Sequence, residues 1–346
     1  MRAEASETLP ADAAALFEPA EFQLGAAWFD AIAEAALPAG ARPLWLVARA
    51  AGRARGALPL LRTADGGMAG LTAPYTSVFR PLGAADADWH AVGRAFARVC
   101  RGAGTLRLEA LDPDWPPLSP LLAGFRGGGM VPLRFANFGN WHIDVSGQSW
   151  RDYLAARPGA LRSTIRRRLA RAEADRAVTF TLVSGGAALV AGIAAYDSVY
   201  ARSWKEPEPY PRFAATLMRA AAGAGALRLG LLHAGGEPVA AQLWLLAGGV
   251  ATVHKLAHDE AARALSPGTV LTAMMIRHLL DVERARTLDF GRGDDPYKEG
   301  WTGRRRARIG VLLCPPWRPA GAAAIARHAG GRLVARFARM TPRAGG

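Results

Sequence analysis

The chain is short of cysteine, has no long apolar run and carries few acids for its bases, and each shortage excludes something. Two cysteines in 346 residues, Cys100 and Cys314, are too few and too far apart for a disulfide framework or a cysteine zinc site. A reducing, cytoplasmic setting fits them. The opening MRAEASETLPADAAALFEPAEF alternates acids with alanine and lacks the basic region and apolar core of a signal peptide. The best candidate for a membrane span, Pro238 to Val253, contains Gln242 and a Gly-Gly turn and falls short of about 18 continuous apolar residues. Two strands of a hairpin explain it better, and no transmembrane segment is expected. What is present is globular matter: 51% of the residues are hydrophobic, and the length suits two domains. The 43 Lys and Arg outnumber the 29 Asp and Glu, for a net charge of +14 carried almost wholly by arginine. That excess favours an anionic partner: a phosphorylated cofactor, tRNA or an acidic membrane surface.

Periodicity and turn residues give the element order. Residues 24–36 read as a helix, and 43–49, 56–61 and 68–71 as short strands. A helix over 88–101, a strand over 105–110, a helix over 118–125 and extended chain over 130–145 complete the first half. The second half repeats the plan. Helices at 150–157 and 161–175 lead to a strand at 178–183 and helices at 187–203 and 212–222, then a three-stranded meander at 227–233, 238–246 and 250–257. Leu161, Ile165, Leu169 and Ala172 share one face of the second helix, while Arg162, Arg166, Arg167, Arg168 and Arg171 occupy the rest. The two halves show no residue-level repeat, so their kinship is one of pattern. A final strand is expected at 309–314, and the tail over 322–339 is helix-prone and basic, suited to solvent or to peripheral contact with a membrane.

The most informative stretch is Val253 to Trp301. A strand ends at His258-Asp259-Glu260, and Ser266-Pro267-Gly268 then opens a helix, with Ser266 as a side-chain N-cap, Pro267 in the first turn and Gly268 leaving the backbone approachable. Such a helix start suits a phosphate. The helix has one apolar and one wet face, and a short strand from 284 to 290 follows it, ending at Asp289. Asp289-Phe290-Gly291 looks like a kinase magnesium loop, but the motifs that should accompany it are missing. His254 and His258 have the spacing of helical zinc ligands, yet they lie on a strand and its turn, and no metal is expected.

SWKEPEP at 203–209, AAQLW at 240–244, HKLAHDE at 254–260, SPG at 266–268 and DFGRGDDPYKEGW at 289–301 resemble the CelD/BcsL-like acetyltransferase family, a branch of the GNAT superfamily related to the FemABX peptidyltransferases. The resemblance implies an α/β (α+β) protein of two tandem GNAT-like acyltransferase folds, each a mixed central sheet flanked by helices. Residues 1–149 would form a degenerate N-terminal domain, 150–318 the acyltransferase domain and 319–346 a basic tail. It also implies an N-acyltransferase that uses acyl-CoA, in particular acetyl-CoA, as co-substrate and an amine acceptor, in cell-envelope or exopolysaccharide biosynthesis. Two rivals stay open: a FemABX-like transferase that uses aminoacyl-tRNA, and a non-catalytic accessory of polysaccharide production.

Acyl transfer to an amine needs a neutral amine, a polarised carbonyl and a protonated leaving thiolate. Asp289 or His254 is the candidate proton acceptor and Tyr297 the candidate proton donor. Lys255, Ser266, Gly268 and Thr269 are the candidate cofactor contacts. Trp204, Lys205, Lys298, Trp301, Arg162 and Arg166 are the candidate substrate contacts.

Overall fold

The computed structural model describes residues 1–340 other than Pro19 and Ala103, with side chains followed to residue 330. Strand β1 (Arg2–Ser6) precedes helix α1 (Ala26–Ala35), strands β2 (Arg42–Ala50), β3 (Arg53–Arg62), β4 (Met68–Gly70) and β5 (Leu82–Gly83), helix α2 (Trp89–Cys100), strand β6 (Leu106–Leu111), helix α3 (Leu118–Gly127) and the long strand β7 (Val131–Asp144). The second half runs through helices α4 (Trp150–Ala155) and α5 (Gly159–Ala174), strand β8 (Val178–Val183), helices α6 (Ala188–Ala201) and α7 (Phe213–Gly223), and strands β9 (Leu227–Ala234), β10 (Glu237–Ala247) and β11 (Val250–His258). Helix α8 (Pro267–Asp281), strand β12 (Thr287–Arg292), the short helix α9 (Tyr297–Thr302), strand β13 (Arg304–Cys314) and helix α10 (Pro319–Met340) complete it.

Local chemistry sets several boundaries. Asp88 accepts a hydrogen bond from Ala91 N at 3.0 Å and starts α2, and Ser149 with Asp152 forms a reciprocal capping box at α4. On α5, Ile165, Leu169 and Ala172 are buried while Arg166, Arg167 and Arg171 face water, as the periodicity predicts. Helix α8 departs from its expected half-wet character. Val270, Leu271, Met275, Ile276 and Leu279 are all buried, because α4 and α5 cover the side turned away from the sheet.

The fold is mixed α/β, two halves of one plan with helices flanking a large mixed sheet. That sheet is continuous: its strands lie in the order β1-β2-β3-β4-β6-β13-β7-β12-β11-β10-β9-β8, with β5 on the side of β3. The order shows an exchange. Strand β13, from the second half, lies between β6 and β7 of the first, and β7, from the first half, lies between β12 and β13 of the second. The residue 149/150 boundary therefore divides the chain but not the sheet. The arginine run Arg304 to Arg308 belongs to β13 instead of preceding it, since pairing with β7 runs unbroken in direction from Arg304↔His142 to Cys314↔Val131. The apolar core is shared in the same way. Trp28 of α1 packs edge-on against Phe213 of α7, with ring centroids 5.8 Å apart.

Because each half lacks a strand that only the other supplies, the halves should unfold together. Far-ultraviolet circular dichroism and tryptophan fluorescence, followed through a urea titration, are expected to report one coincident transition. Two separated transitions would show that the halves stand alone.

Candidate active site

Strands β11 and β12 pair in parallel at Val250↔Thr287, Ala251↔Leu288 and Thr252↔Asp289, and then part. The parting has a local cause. Between Asp289 and Arg292 the register of β12 on β7 shifts, and Gly291 there has φ of +67°, a conformation that favours glycine. A Cβ at this position would also meet Val253 O at 2.7 Å. The bulge is pinned by the buried Asp289 carboxylate. Its Oδ1 accepts from Gly291 N at 2.7 Å and from Asn140 Nδ2 at 2.6 Å, and its Oδ2 accepts from Arg306 at 2.6 Å. Asn140 closes the network by accepting from Arg306 Nε at 2.5 Å and donating to Gly291 O at 2.9 Å. One carboxylate thus ties β7, β12 and β13 together beside the gap.

Two cavities meet at the gap and share Leu256 and Tyr297 in their walls. The first, of about 200 Å³, is polar and lies between the halves. Strand β11 contributes His254 and Lys255, and the first half contributes Gln23, Tyr75 and Ser77. The His254 ring is enclosed by Trp28, Tyr75 and Phe213, with centroids 5.7 to 5.9 Å away. Burial, then the charge of Lys255, pushes its pKa down to about 3, so the imidazole is neutral at physiological pH. Glu208 is the hub below it. Its carboxylate accepts from Tyr75, Tyr200 and Lys255, each at 2.5 Å. Burial acts to raise the Glu208 pKa, but the bonds from Lys255 and the two tyrosines outweigh it and hold the carboxyl below its ordinary value.

The second cavity, of about 530 Å³, opens at the start of α8 and is lined by Trp204, His258, Arg263, Ser266, Gly268 and Thr269, among others. Ser266 corrects the sequence reading. It sits in the left-handed region with φ of +51°, and its side chain makes no cap. Val270 N is the first to find a helical partner, Ser266 O at 3.1 Å. The N–H groups of Gly268 and Thr269 are therefore uncapped among the described residues, which leaves the positive end of the helix dipole available to an anion.

The candidate residues sort themselves between these spaces. His254, Lys205, Lys255 and Lys298 line the first cavity, Trp204, Ser266, Gly268, Thr269 and Trp301 the second, and Tyr297 both. Lys255 thus lies on the side away from the helix start where it was expected. Trp204 lies beside that start, its ring 4.4 Å from His258. Asp289 lines neither cavity, because its oxygens are engaged by Asn140, Gly291 and Arg306. Lys298 does not pair with Asp289. It donates to Arg292 O at 2.7 Å and pairs with Asp295 at 2.9 Å. Arg162 and Arg166 also lie outside both cavities: Arg162 donates to Ala155 O at 2.8 Å, closing the end of α4, and Arg166 points to solvent.

Gln23, Tyr75, Ser77 and Glu208 were not foreseen. Glu208 lies inside the SWKEPEP run, but the other three come from the first half, where no motif marks them. One compositional signal was available. The chain has three lysines, Lys205, Lys255 and Lys298, among its 43 basic residues, and all three line the first cavity.

Residues 159–299 match the family model of an acetyltransferase (GNAT) domain, from the start of α5 into α9, which takes in the second-half walls of both cavities apart from Gly300 and Trp301. No curated protein matches the chain in sequence. Among solved structures the chain is similar to FemX, at 11% identity and a TM-score of 0.57 over 89% of this chain and 96% of that one. It is also similar to L-PGS from Bacillus licheniformis, at 11% identity and a TM-score of 0.51 over 92% and 98%. The DUF2156 C-terminal domain of an Agrobacterium fabrum protein is similar at 13% identity, with a TM-score of 0.52 over 78% and 84%. These likenesses are of fold. Among the described residues no helix is long and apolar enough to cross a membrane.

Asp289→Asn places an amide N–H against Arg306 and removes the charge that holds the bulge. Breaking such a buried pair costs on the order of 3 kcal/mol, so a marked fall in unfolding free energy is expected in a denaturant titration. A variant as stable as the parent would show that the carboxylate does not hold the strands.

Proposed function

We propose that the protein is an N-acyltransferase that moves an acyl group, in particular acetyl, from acyl-CoA to an amine. The cofactor arm lies in the second cavity and the acceptor in the first. The observation that carries this reading is the pair of cavities meeting at the β11–β12 gap, one at an uncapped helix start and the other at a neutral histidine. The second cavity fits a phosphorylated thioester: two free N–H groups and Arg263 suit its phosphates, and at Gly268 an added Cβ would come within 3.3 Å of His258 Cδ2, so the glycine keeps the entrance clear. Bound there, the thioester supplies an activated acyl carbon.

The chain's own groups supply the rest. His254, held neutral, accepts a hydrogen bond from the amine and orients its lone pair toward the acyl carbon; the proton, acidic once the N–C bond forms, passes through this bond to water in the polar cavity. Tyr297 lines both cavities where they join. It is 46% exposed, and the desolvation of its covered part, then the Asp295 charge, keeps its pKa above the ordinary value, so it stays protonated and can deliver a proton to the departing sulfur. Asp289 acts as a positioning residue: it holds the gap open and does not touch the reacting atoms. We assign 150–318 as the acyltransferase unit and 1–149 as the half that closes the acceptor side, with 319–346 as a basic tail. The setting we infer is the cytoplasm, consistent with two free buried cysteines, and the acceptor a precursor of envelope or exopolysaccharide.

A second reading has one observation in its favour. The exposed Arg166, Arg167 and Arg171 on α5 suit the phosphates of aminoacyl-tRNA, the donor that the sequence resemblance left open as an alternative. Calorimetry with acetyl-CoA and with tRNA separates the two. Acetyl-CoA is expected to bind, Gly268→Val to weaken that binding at least 10-fold in a folded protein, and His254→Ala to lower kcat by about 10²-fold or more with acetyl-CoA affinity kept. Salt-sensitive tRNA binding without acetyl-CoA binding would overturn the acyl-CoA reading in favour of the other.

A further inference from the structure

Gln23 is 2% exposed, and its amide can be oriented from its neighbours. Its Oε1 accepts from Ser77 N at 2.8 Å, Ser77 Oγ at 3.1 Å and Val78 N at 3.2 Å. Three donors on one atom leave no choice of flip, so Nε2 is the other end of the amide. That Nε2 is buried and has no hydrogen-bond partner among the described residues, although Gln23 lines the first cavity. Buried polar groups are seldom left unmade, and one that borders a cavity marks where a ligand brings an acceptor atom.

The charges of the cavity point the same way. Lys255 is matched by Glu208 at 2.5 Å and Lys298 by Asp295 at 2.9 Å. Lys205 Nζ has no carboxylate partner among the described residues; it stands 5.5 Å from the centre of the Trp204 ring. Arg292, the other cation on the wall, lays its guanidinium over Phe138 at 4.4 Å. Lys205 and Arg292 are thus the cations of this wall without a carboxylate partner among the described residues, and together with the unmatched amide donor they leave the lining short of an anion.

We infer that the acceptor is an amino carboxylate whose carboxylate is held in the first cavity by Lys205 Nζ and Gln23 Nε2, leaving its amine to His254; this rests on the acyl-transfer reading of the same site. Two oxygens match the Lys205 ammonium and the Gln23 amide. A phosphate is better served by a helix start, and the free helix start opens into the other cavity, while the arginine of this wall is laid over Phe138. The volume, about 200 Å³, is below the roughly 300–1,000 Å³ of drug-sized pockets and suits an amino acid or the end of a longer chain. Choosing lysine, a compact point charge, in a chain that otherwise relies on arginine accords with so small a space.

The test is binding of matched small molecules to the full chain by thermal shift and calorimetry. Glycine, L-alanine and β-alanine are compared with glycinamide, L-alaninamide and aminomethylphosphonate. At least one of the amino acids is expected to bind and raise the melting temperature, and its amide to do neither. Lys205→Gln should weaken that binding about 10- to 100-fold, the scale of a lost charged hydrogen bond. Gln23→Glu keeps an oxygen for Ser77 and Val78 but turns the donor into a second acceptor, and should abolish it. Equal binding of amides and acids, stronger binding of the phosphonate, no binding by any of the six, or indifference to Lys205→Gln would overturn the inference. Thioester turnover, read separately, distinguishes the two claims. Carboxylate binding that depends on Lys205 in a protein without turnover would sink the acyl-transfer reading alone, while turnover indifferent to the carboxylate would sink this one alone.

Discussion

The Asn140, Asp289 and Arg306 network is the interaction on which the rest of the structure depends. Each residue comes from a different strand: β7 and β13, the two exchanged between the halves, and β12, which pairs with β7 beside them. A carboxylate buried to this degree is costly unless every oxygen is answered, and here two N–H groups and a guanidinium answer it. The same atoms that satisfy the charge also fix the bulge at Gly291, which turns β12 away from β11. Sheet continuity and site opening therefore share one cause. Around the network the polarity is managed locally: Glu21 lies close enough to Asp289 that its carboxyl is pushed up to about 7, by burial first and by the Asp289 charge second.

The two cavities divide the work by their electrostatics. The second relies on the backbone, since a helix start without a side-chain cap presents partial positive charge in a fixed direction. The first relies on side chains held by other side chains. Glu208 fixes Lys255 and two tyrosines, and the 73–79 loop is held by Arg308, which donates to Ser77 O at 3.2 Å and pairs with Asp112 at 2.7 Å. In this way β13, which reaches the site only through its neighbours, sets the position of Ser77 and through it the amide of Gln23. Rigid support of this kind is what a site needs if its donors are to meet a substrate in one geometry.

Much of the fold was legible in the sequence, because strands and helices with clear periodicity and strong turn residues declare themselves locally. The meander, α8 and β12 fell close to where Gly248-Gly249 and Ser266-Pro267 place them. The strand exchange was not legible, since nothing in the residues of β7 or β13 says which neighbour a strand will choose. The candidate site was legible in part. His254 and the 289–301 signature stand out by residue type, and the scarcity of lysine was a pointer that composition alone contained. The role of Asp289 was hidden, because a carboxylate at a strand end looks the same whether it faces a substrate or an arginine 17 residues later. Gln23 and Ser77 were hidden more deeply, because their importance comes from where the first half lies across the second.

The exchanged strands also limit how the molecule can move. Opening a cleft by swinging two lobes apart requires a hinge of few bonds, whereas here β7 and β13 are laced to each other along 11 paired positions. A sheet so joined resists bending about the seam as a single plate does. Traffic into the space between the lobes must then pass through side-chain rotation and loop displacement at the rim, at Tyr297, Trp204 and the 203–210 segment, on the fast timescale of such motions and not the slower one of domain closure. Release of product, on this view, is governed by the rim.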